Sequence, residues 1–517
     1  MIRFFKTNYL ALLICILFVV FNSYKISRVG ELWDEIGVAL YGEIYIGAIK
    51  NLDFSKSTWK INHEHPPLGK YIYGVARFIT KKVPLLLKLD PLYHPDKSYS
   101  FARFISVVLS ALTIFAVYLL GKTLKDKKTG LAAALFLVLN PVFLAYSNTV
   151  SLEVPLLFFS SVFVLAFYKA LMSDSKKWFL VSVLFLGFAL SSRYNGAFLG
   201  IFYLVTLGTF YKRKLFTKKN TIKIFYPVLS LLFLFIIWPY LWHSPIKNFW
   251  LSVDRGFEIQ TEEYLLGSLG IYGLKNYFYY FLYFLVSTPI PLLLLFITYI
   301  FFIKKQGFQK IFLSLFFLTP FIASIFPLKQ DGIRYAQFMV IPLALICSLS
   351  FFKIYELLET AALKKGFSFL VFSFLLFSVV RFYPYYLDYY NILTGGVRNV
   401  YAKRLFELGW WGEGSYQASK AIVNCCFEKE SKIYFNFVPA HVFSDFGHNI
   451  TRVYSFDKDP EIFVDNIGGE RYGDYSRETI ETYLKDNDFV LISREYLPQK
   501  VSLYKVFVKR SLLEKVN

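Results

Sequence analysis

The densest chemistry in the chain lies between Glu31 and Lys70, in the stretch ELWDEIGVALYGEIYIGAIKNLDFSKSTWKINHEHPPLGK. Asp34 and Glu35 are adjacent carboxylates, and His63, Glu64, His65 and Lys70 surround the pair Pro66-Pro67. A carboxylate held near a hydroxyl can take its proton, and fixed cations can hold an anion. The same residues in a solvated loop would do neither, so the elements around them decide the matter. The run from Tyr9 to Phe21 just before them is apolar enough to sit in a bilayer, which puts Asp34 where the chain leaves lipid.

The rest of the chain is built for a membrane. Hydrophobic residues make up 56% of 517 and aromatic ones 20%, and the mean hydropathy is +0.45, far above that of a soluble domain. The expected fold is a polytopic α-helical membrane protein with about eleven spanning helices. Among the expected spans are single ones over 130–146 and 277–303 and short ones over 178–193, 196–210 and 311–326. The first is read as a retained helix, since no small-residue cleavage pattern follows it. Net charge is +21, but Lys and Arg concentrate in short loops between apolar runs, so the excess reports topology rather than nucleic-acid binding. GKTLKDKKTG from Gly121, SDSKK from Ser173 and YKRKLFTKKNTIK from Tyr211 fall on one side, which the positive-inside rule makes cytoplasmic. The N-terminus is then inside, and the first long loop, residues 25–100, is outside together with the C-terminal segment.

Hydropathy falls after about residue 385. KIYFNFV from Lys432, TRVYSF from Thr451 and DFVLISR from Asp488 read as strands, while SYQASKAIVN from Ser415 and SRETIETYLKDN from Ser476 read as helices. Residues 1–384 therefore form the expected transmembrane domain and 385–517 a small extracytoplasmic α/β domain. Cys425 and Cys426 are adjacent and imply no disulfide framework.

The order of motifs resembles the GT-C superfamily of membrane glycosyltransferases, most closely its protein O-mannosyltransferase and aminoarabinose (lipid A) transferase branch. Trp33-Asp34-Glu35 stands where that branch carries its acidic motif, and His65-Pro66-Pro67-Leu68-Gly69-Lys70 matches its Pro-Pro-Leu motif. Arg103 in FARFISVVLSAL, Glu153 in SLEVPLLFF, SSRYNG with Arg193, GIRYAQFMVIPLALI with Arg334, and LGWWGEG after the last span extend the match to about residue 415. The resemblance implies transfer of a sugar from a polyprenyl-phosphate carrier to an acceptor hydroxyl of a lipid, glycan or protein, at the plasma membrane's outer face and with inversion.

It also implies roles. Asp34 is the expected base and Glu35 is grouped with it as catalytic, orienting a partner or binding a metal; the expected phosphate-binding cations are His65, Lys70, Arg103, Arg193 and Arg334, and Glu153 supplies a second acidic position. Plainer readings stand beside these. Glu153 at a span opening suits a helix dipole, Arg193 and Arg334 can snorkel to the interface, and Trp410 and Trp411 suit interface anchors. No obligatory cofactor is expected. A divalent metal stays open, because His63, Glu64 and His65 are ligand types although consecutive side chains do not readily converge on one ion. Two other classes remain, a lipid or sugar transporter or flippase and a non-catalytic scaffold. A transporter would place ionisable residues near mid-bilayer, and here they gather at span ends.

Overall fold

The computed structural model describes the chain except residues 1, 25, 27, 83–98, 259–263, 270–273, 303–306, 325–331, 427–429, 437–448, 470–472, 474 and 515–517. It is a helical membrane bundle capped at one end by a small mixed sheet. Helix α1 (Ile2–Ser23) leads into α2 (Trp33–Lys50), the short α3 (Lys56–Trp59) and α4 (Leu68–Lys82). Then come α5 (Ser100–Leu124), α6 (Lys127–Val138), α7 (Pro141–Ser147), α8 (Glu153–Ser173), α9 (Lys176–Ser192), α10 (Ala197–Tyr211) and α11 (Lys218–Ile237). After α12 (Pro245–Glu258) and the hairpin strands β1 (Tyr264–Leu265) and β2 (Ser268–Leu269) the chain returns to the bundle.

 The strand β2 spans Ser268–Leu269 and pairs antiparallel with β1. The bundle resumes with α13 (Leu274–Ser287), α14 (Ile290–Phe302), α15 (Phe308–Ser324), α16 (Val340–Leu357) and α17 (Ala361–Phe382).

Six helical stretches are long and apolar enough to cross a bilayer: 6–23, 100–124, 153–173, 218–237, 334–357 and 361–382. Two further candidates are bent pairs, which raise the number to eight. These six, or eight with the bent pairs, are the candidates among the described residues by length and composition, beside the expectation of about eleven spans. The segment expected as one span over 130–146 breaks by 68° between α6 and α7, where Asn140 caps the second piece and Pro141 starts it. The segment over 277–303 breaks by 119° between α13 and α14. There Asn391 ties the break down, its backbone N–H donating to Val286 O at 2.8 Å and its Nδ2 to Thr288 O at 2.7 Å. Helices α9, α10 and α15 have 17, 15 and 17 residues, and 15 residues reach only about 22 Å, short of a hydrocarbon core of about 30 Å.

The basic loops do gather at one end. Asp174 pairs with Lys219 and Lys223 and accepts from Tyr211 Oη, Lys125 pairs with Glu356, and Gln309 donates to Leu124 O. The loop expected over 25–100 is largely helical in its described part. WDEIGVALYGEIYIGAIK gave little helical signal because apolar residues run around the whole of α2, whereas α4 starts directly after Pro66-Pro67 as its composition suggests.

Beyond α17 lie α18 (Val397–Lys403) and α19 (Ser415–Cys426), then β3 (Ser431–Asn436), β4 (Ile450–Val453) and β5 (Ile462–Asn466). Helix α20 (Arg477–Asp486), capped by Ser476, precedes β6 (Phe489–Leu497) and β7 (Val501–Lys509). The sheet order is β4-β3-β5-β7-β6, with β3 parallel to β4 and β5, and β7 antiparallel to β5 and β6. The sequence reading missed β5 and β7, although VSLYKVFVK in β7 is rich in the β-branched and aromatic residues that favour strands. Cys425 and Cys426 are joined to each other, and because they are adjacent the bridge closes no loop.

Candidate active site

Helix α2 sorts its two acids by geometry. Successive residues on a helix are about 100° apart, so Asp34 and Glu35 face different neighbours. Trp33, Asp34, Gly37 and Tyr41 line an open cavity, while Glu35, Ala39, Gly42 and Tyr45 are buried away from it. Glu35 reaches back to accept from Leu32 N at 2.9 Å, as an acid at the third position of a helix does. Its other oxygen accepts from Val150 N at 2.8 Å and from Arg103 Nε at 2.8 Å. Arg103 is fully buried and also donates to the carbonyls of Ile26 and Gly30. Its fork is therefore spent on Glu35 and on the turn before α2. Arg103, expected at the donor phosphate, is therefore turned toward protein and does not line the cavity, and Glu35, expected with Asp34 as catalytic, does not line it either. Removing one partner of a buried pair costs about 3–5 kcal/mol. Arg103→Ala is accordingly expected to lower the unfolding midpoint of the purified protein sharply, while the molecules that remain folded keep their affinity for donor.

Lys70 comes from α4, which crosses α2 at two glycines. A Cβ on Gly42 would lie 2.0 Å from Lys70 O, and one on Gly74 would lie 2.2 Å from the backbone of Gly42. Only bare backbone permits this approach. It sets the Lys70 ammonium beside the open face of α2, where Nζ donates to Asn62 O and to His65 O. Gly74→Val is expected to push the helices apart and lower activity about a hundredfold, since a misplacement of about 1 Å can cost that much. Transfer assays on membranes matched for protein abundance would check it.

Burial pushes the Lys70 amine down to about 7, with the negative charge of Glu64 opposing the shift. Helix α4 is not among the apolar spans. Glu64 accepts from Asn62 Nδ2 at 2.9 Å, and His63 packs on Tyr240 with ring centroids 4.9 Å apart. No group of three or more His, Cys, Asp or Glu among the described residues converges as metal ligands.

Arg334 closes the site from the 3-10 turn Arg334–Met339 that leads into α16. Its guanidinium pairs with Asp34 and with Glu153, and it lies over the Trp411 ring at 4.8 Å. Glu153, the first residue of α8, is buried and pairs as well with Arg193, whose guanidinium lies 4.7 Å from the Tyr335 ring centroid. The chain of charges runs Asp34, Arg334, Glu153, Arg193. Only its first two members line the cavity; Arg193, expected at the donor phosphate, is buried and packs on the Tyr335 ring. Glu153 bridges two arginines and does not line the cavity.

Trp411 is a further correction. It is buried instead of anchoring at an interface, and its carbonyl accepts from Trp33 N at 2.9 Å. Gly414 N donates to Val29 O at 2.8 Å, and Ser415 Oγ to Glu31 O at 3.2 Å. Gly30 has φ +89°, and a Cβ there would fall 2.0 Å from Ser415 Oγ. LGWWGEG thus clasps the N-terminus of α2. Sequence reasoning placed this segment in the motif order without seeing its contacts with Trp33 and Arg334.

The resulting cavity has a volume of about 420 Å³. Asp34, Glu64, His65, Lys70 and Arg334 line it, with Asn62, Tyr41, Trp33 and Tyr335 also contributing. Of the eight expected site residues, Asp34, His65, Lys70 and Arg334 meet there. Two carboxylates, Asp34 and Glu64, share with His65, Lys70 and Arg334 the wall of a space the size of a small ligand.

Residues 96–243 match the family described as dolichyl-phosphate-mannose-protein mannosyltransferase. That stretch holds Arg103, Glu153 and Arg193 but neither Asp34, Lys70 nor Arg334. No curated protein sequence matches the chain. Among solved structures, ArnT from Cupriavidus metallidurans bound to undecaprenyl phosphate is similar, at 13% identity and a TM-score of 0.51, over 98% of this chain and 99% of that one. The apo state of the same protein matches at 12% identity and a TM-score of 0.50, again over 98% and 99%. At these identities the likeness is one of fold.

Proposed function

We propose that this chain, a membrane protein with the GT-C glycosyltransferase fold, moves a sugar from a polyprenyl-phosphate donor to an acceptor hydroxyl with inversion. The acceptor O–H gives its proton to Asp34 as its oxygen attacks the anomeric carbon. The bond from that carbon to the phosphate oxygen breaks, and its electrons leave with the lipid phosphate. Lys70, Arg334 and His65 hold the charge that grows there, and cations fixed in place favour the transition state over the ground state. Arg334 also holds Asp34 in place.

The observation that carries this reading is the meeting of Asp34, His65, Lys70 and Arg334 in one cavity, from chain segments up to 300 residues apart. Undecaprenyl phosphate in the Cupriavidus metallidurans structure supports a polyprenyl-phosphate donor. The basic loops at the opposite end of the bundle support an outward-facing site, with the N-terminus in the cytoplasm and the sheet outside the plasma membrane. The acceptor hydroxyl belongs to an envelope lipid, a glycan or a protein Ser/Thr. The test is mass spectrometry of envelope lipids, glycans and proteins from cells with and without the gene, joined to transfer from polyprenyl-phosphate mannose or aminoarabinose by the reconstituted protein. A sugar-bearing product that disappears with the gene and is made in vitro supports the reading. A product pattern indifferent to the gene, with no transfer from either donor, overturns it.

A further inference from the structure

A second cavity of about 700 Å³ lies in the sheet region, away from Asp34. Strand register builds its floor, since Asp465 of β5 and Arg494 of β6 both stand opposite Lys505 of β7. Arg398, Arg477 and Lys500 add three more cations to its lining, against the two acids Asp465 and Glu481. Both acids are engaged, Asp465 with Lys505 at 3.1 Å and Glu481 with Arg477 at 3.0 Å. Among the described residues no carboxylate pairs with Arg398, Arg494 or Lys500, so the cavity carries an uncompensated positive charge.

Two of its polar atoms are buried without a hydrogen-bond partner among the described residues, Asn436 Oδ1 and Ser502 Oγ. Asn436 is 1% exposed. A buried acceptor left unpaired is costly, and a ligand hydroxyl would satisfy it. Tyr401, Tyr475 and Phe507 supply apolar faces beside these groups.

Gln499 joins this cavity to a groove of about 340 Å³ on the surface of α17. It is held there because its Oε1 accepts from Arg398 N at 2.8 Å. The groove is lined by Phe374, Phe377 and Phe382 of a membrane-spanning helix and by Ile392, which is 75% exposed. An apolar groove on a span thus continues into a cationic, hydroxyl-seeking cavity.

We propose that these joined spaces form a binding site for an anionic amphiphile, its acyl chain along α17 and its phosphate-bearing, hydroxylated head group among Arg398, Arg494 and Lys500. The site is independent of the donor reading, since it shares no residue with the cavity at Asp34.

Binding of phosphatidylglycerol, phosphatidylcholine and inorganic phosphate to the full-length protein in detergent would test it by native mass spectrometry. Wild-type protein should retain phosphatidylglycerol about tenfold better than phosphatidylcholine, and the Arg398→Glu, Arg494→Glu double variant should lose that preference while unfolding at the wild-type temperature. Phe377→Ala with Ile392→Ala should weaken phosphatidylglycerol binding and leave the charge preference intact. An unchanged preference in the double variant would overturn the site. Inorganic phosphate binding as tightly as phosphatidylglycerol, with no effect of the groove substitutions, would show a free-phosphate site and overturn the amphiphile assignment. Should the double variant fail to fold, Lys500→Glu on the exposed rim carries the same expectation.

Discussion

Asp34→Asn is expected to reduce sugar transfer about a thousandfold, within the range by which a positioned general base accelerates such a step. The asparagine is nearly the same shape and its amide oxygen can still accept from Arg334, so the cavity and the charges behind it stay in place. What disappears is the capacity to take the acceptor's proton. Donor binding should therefore survive while turnover is lost, the pattern of an interaction made only in the transition state. Single-turnover transfer by the purified variant, beside a binding measurement with undecaprenyl phosphate, separates the two. Near-normal turnover would remove Asp34 as base, and loss of donor binding together with turnover would show that the residue organises the cavity instead. Glu35→Gln tests the neighbouring acid in the opposite sense. Its oxygens are committed to Arg103 and to two backbone amides, so its loss should appear first in stability.

The division between these two acids marks how far the sequence could be read. Motif order placed Asp34, His65, Lys70 and Arg334 at one end of the bundle, because each lies at the edge of an apolar run and the basic loops mark the other end. It also announced a helical bundle with a small α/β unit behind it. Which arginine faces ligand and which faces protein was not legible. Arg103 and Arg334 both stand near the start of an apolar helix, and hydropathy treats them alike. The difference lies in partners far along the chain, Glu35 for the one, Asp34 and Glu153 for the other. A buried guanidinium requires acceptors, but nothing in local spacing says which carboxylate supplies them. The role of Trp411 was hidden for a similar reason. A tryptophan after a last span reads as an interface anchor, and only the fold returns residues 411–415 to the N-terminus of α2. The helices α9, α10 and α15 exposed a limit of another kind, since apolar composition says that a segment avoids water without fixing the length of its helix.

Lys70 gives the second large effect, and its sign follows from burial. The amine titrates near 7 in the folded protein against its ordinary value of 10.5. Below about pH 7 it is charged in both folded and unfolded chains, and the fold carries the full cost of burying that charge. As pH rises from about 7 toward 10.5 the folded form has already lost the proton and the unfolded form has not, so the cost fades and the empty protein gains stability. Donor binding runs the other way. The phosphodiester of a polyprenyl-phosphate sugar keeps its negative charge over this range and favours the ammonium, so above pH 7 binding must bring a proton with it. Each further unit should weaken donor affinity about tenfold, as a one-unit shift is worth about 1.4 kcal/mol. Lys70→Arg cannot lose its charge, and its donor affinity should stay flat between pH 6 and 9 whatever its absolute level. Lys70→Met should bind donor about a hundredfold more weakly at pH 6, from the loss of a buried charged contact worth about 3 kcal/mol. Glu64→Gln removes the negative charge that opposes the shift, which moves the fall in donor affinity to lower pH. Affinities for undecaprenyl phosphate sugar measured across this range decide the point: parallel slopes for wild type and Lys70→Arg would take the donor phosphate away from Lys70.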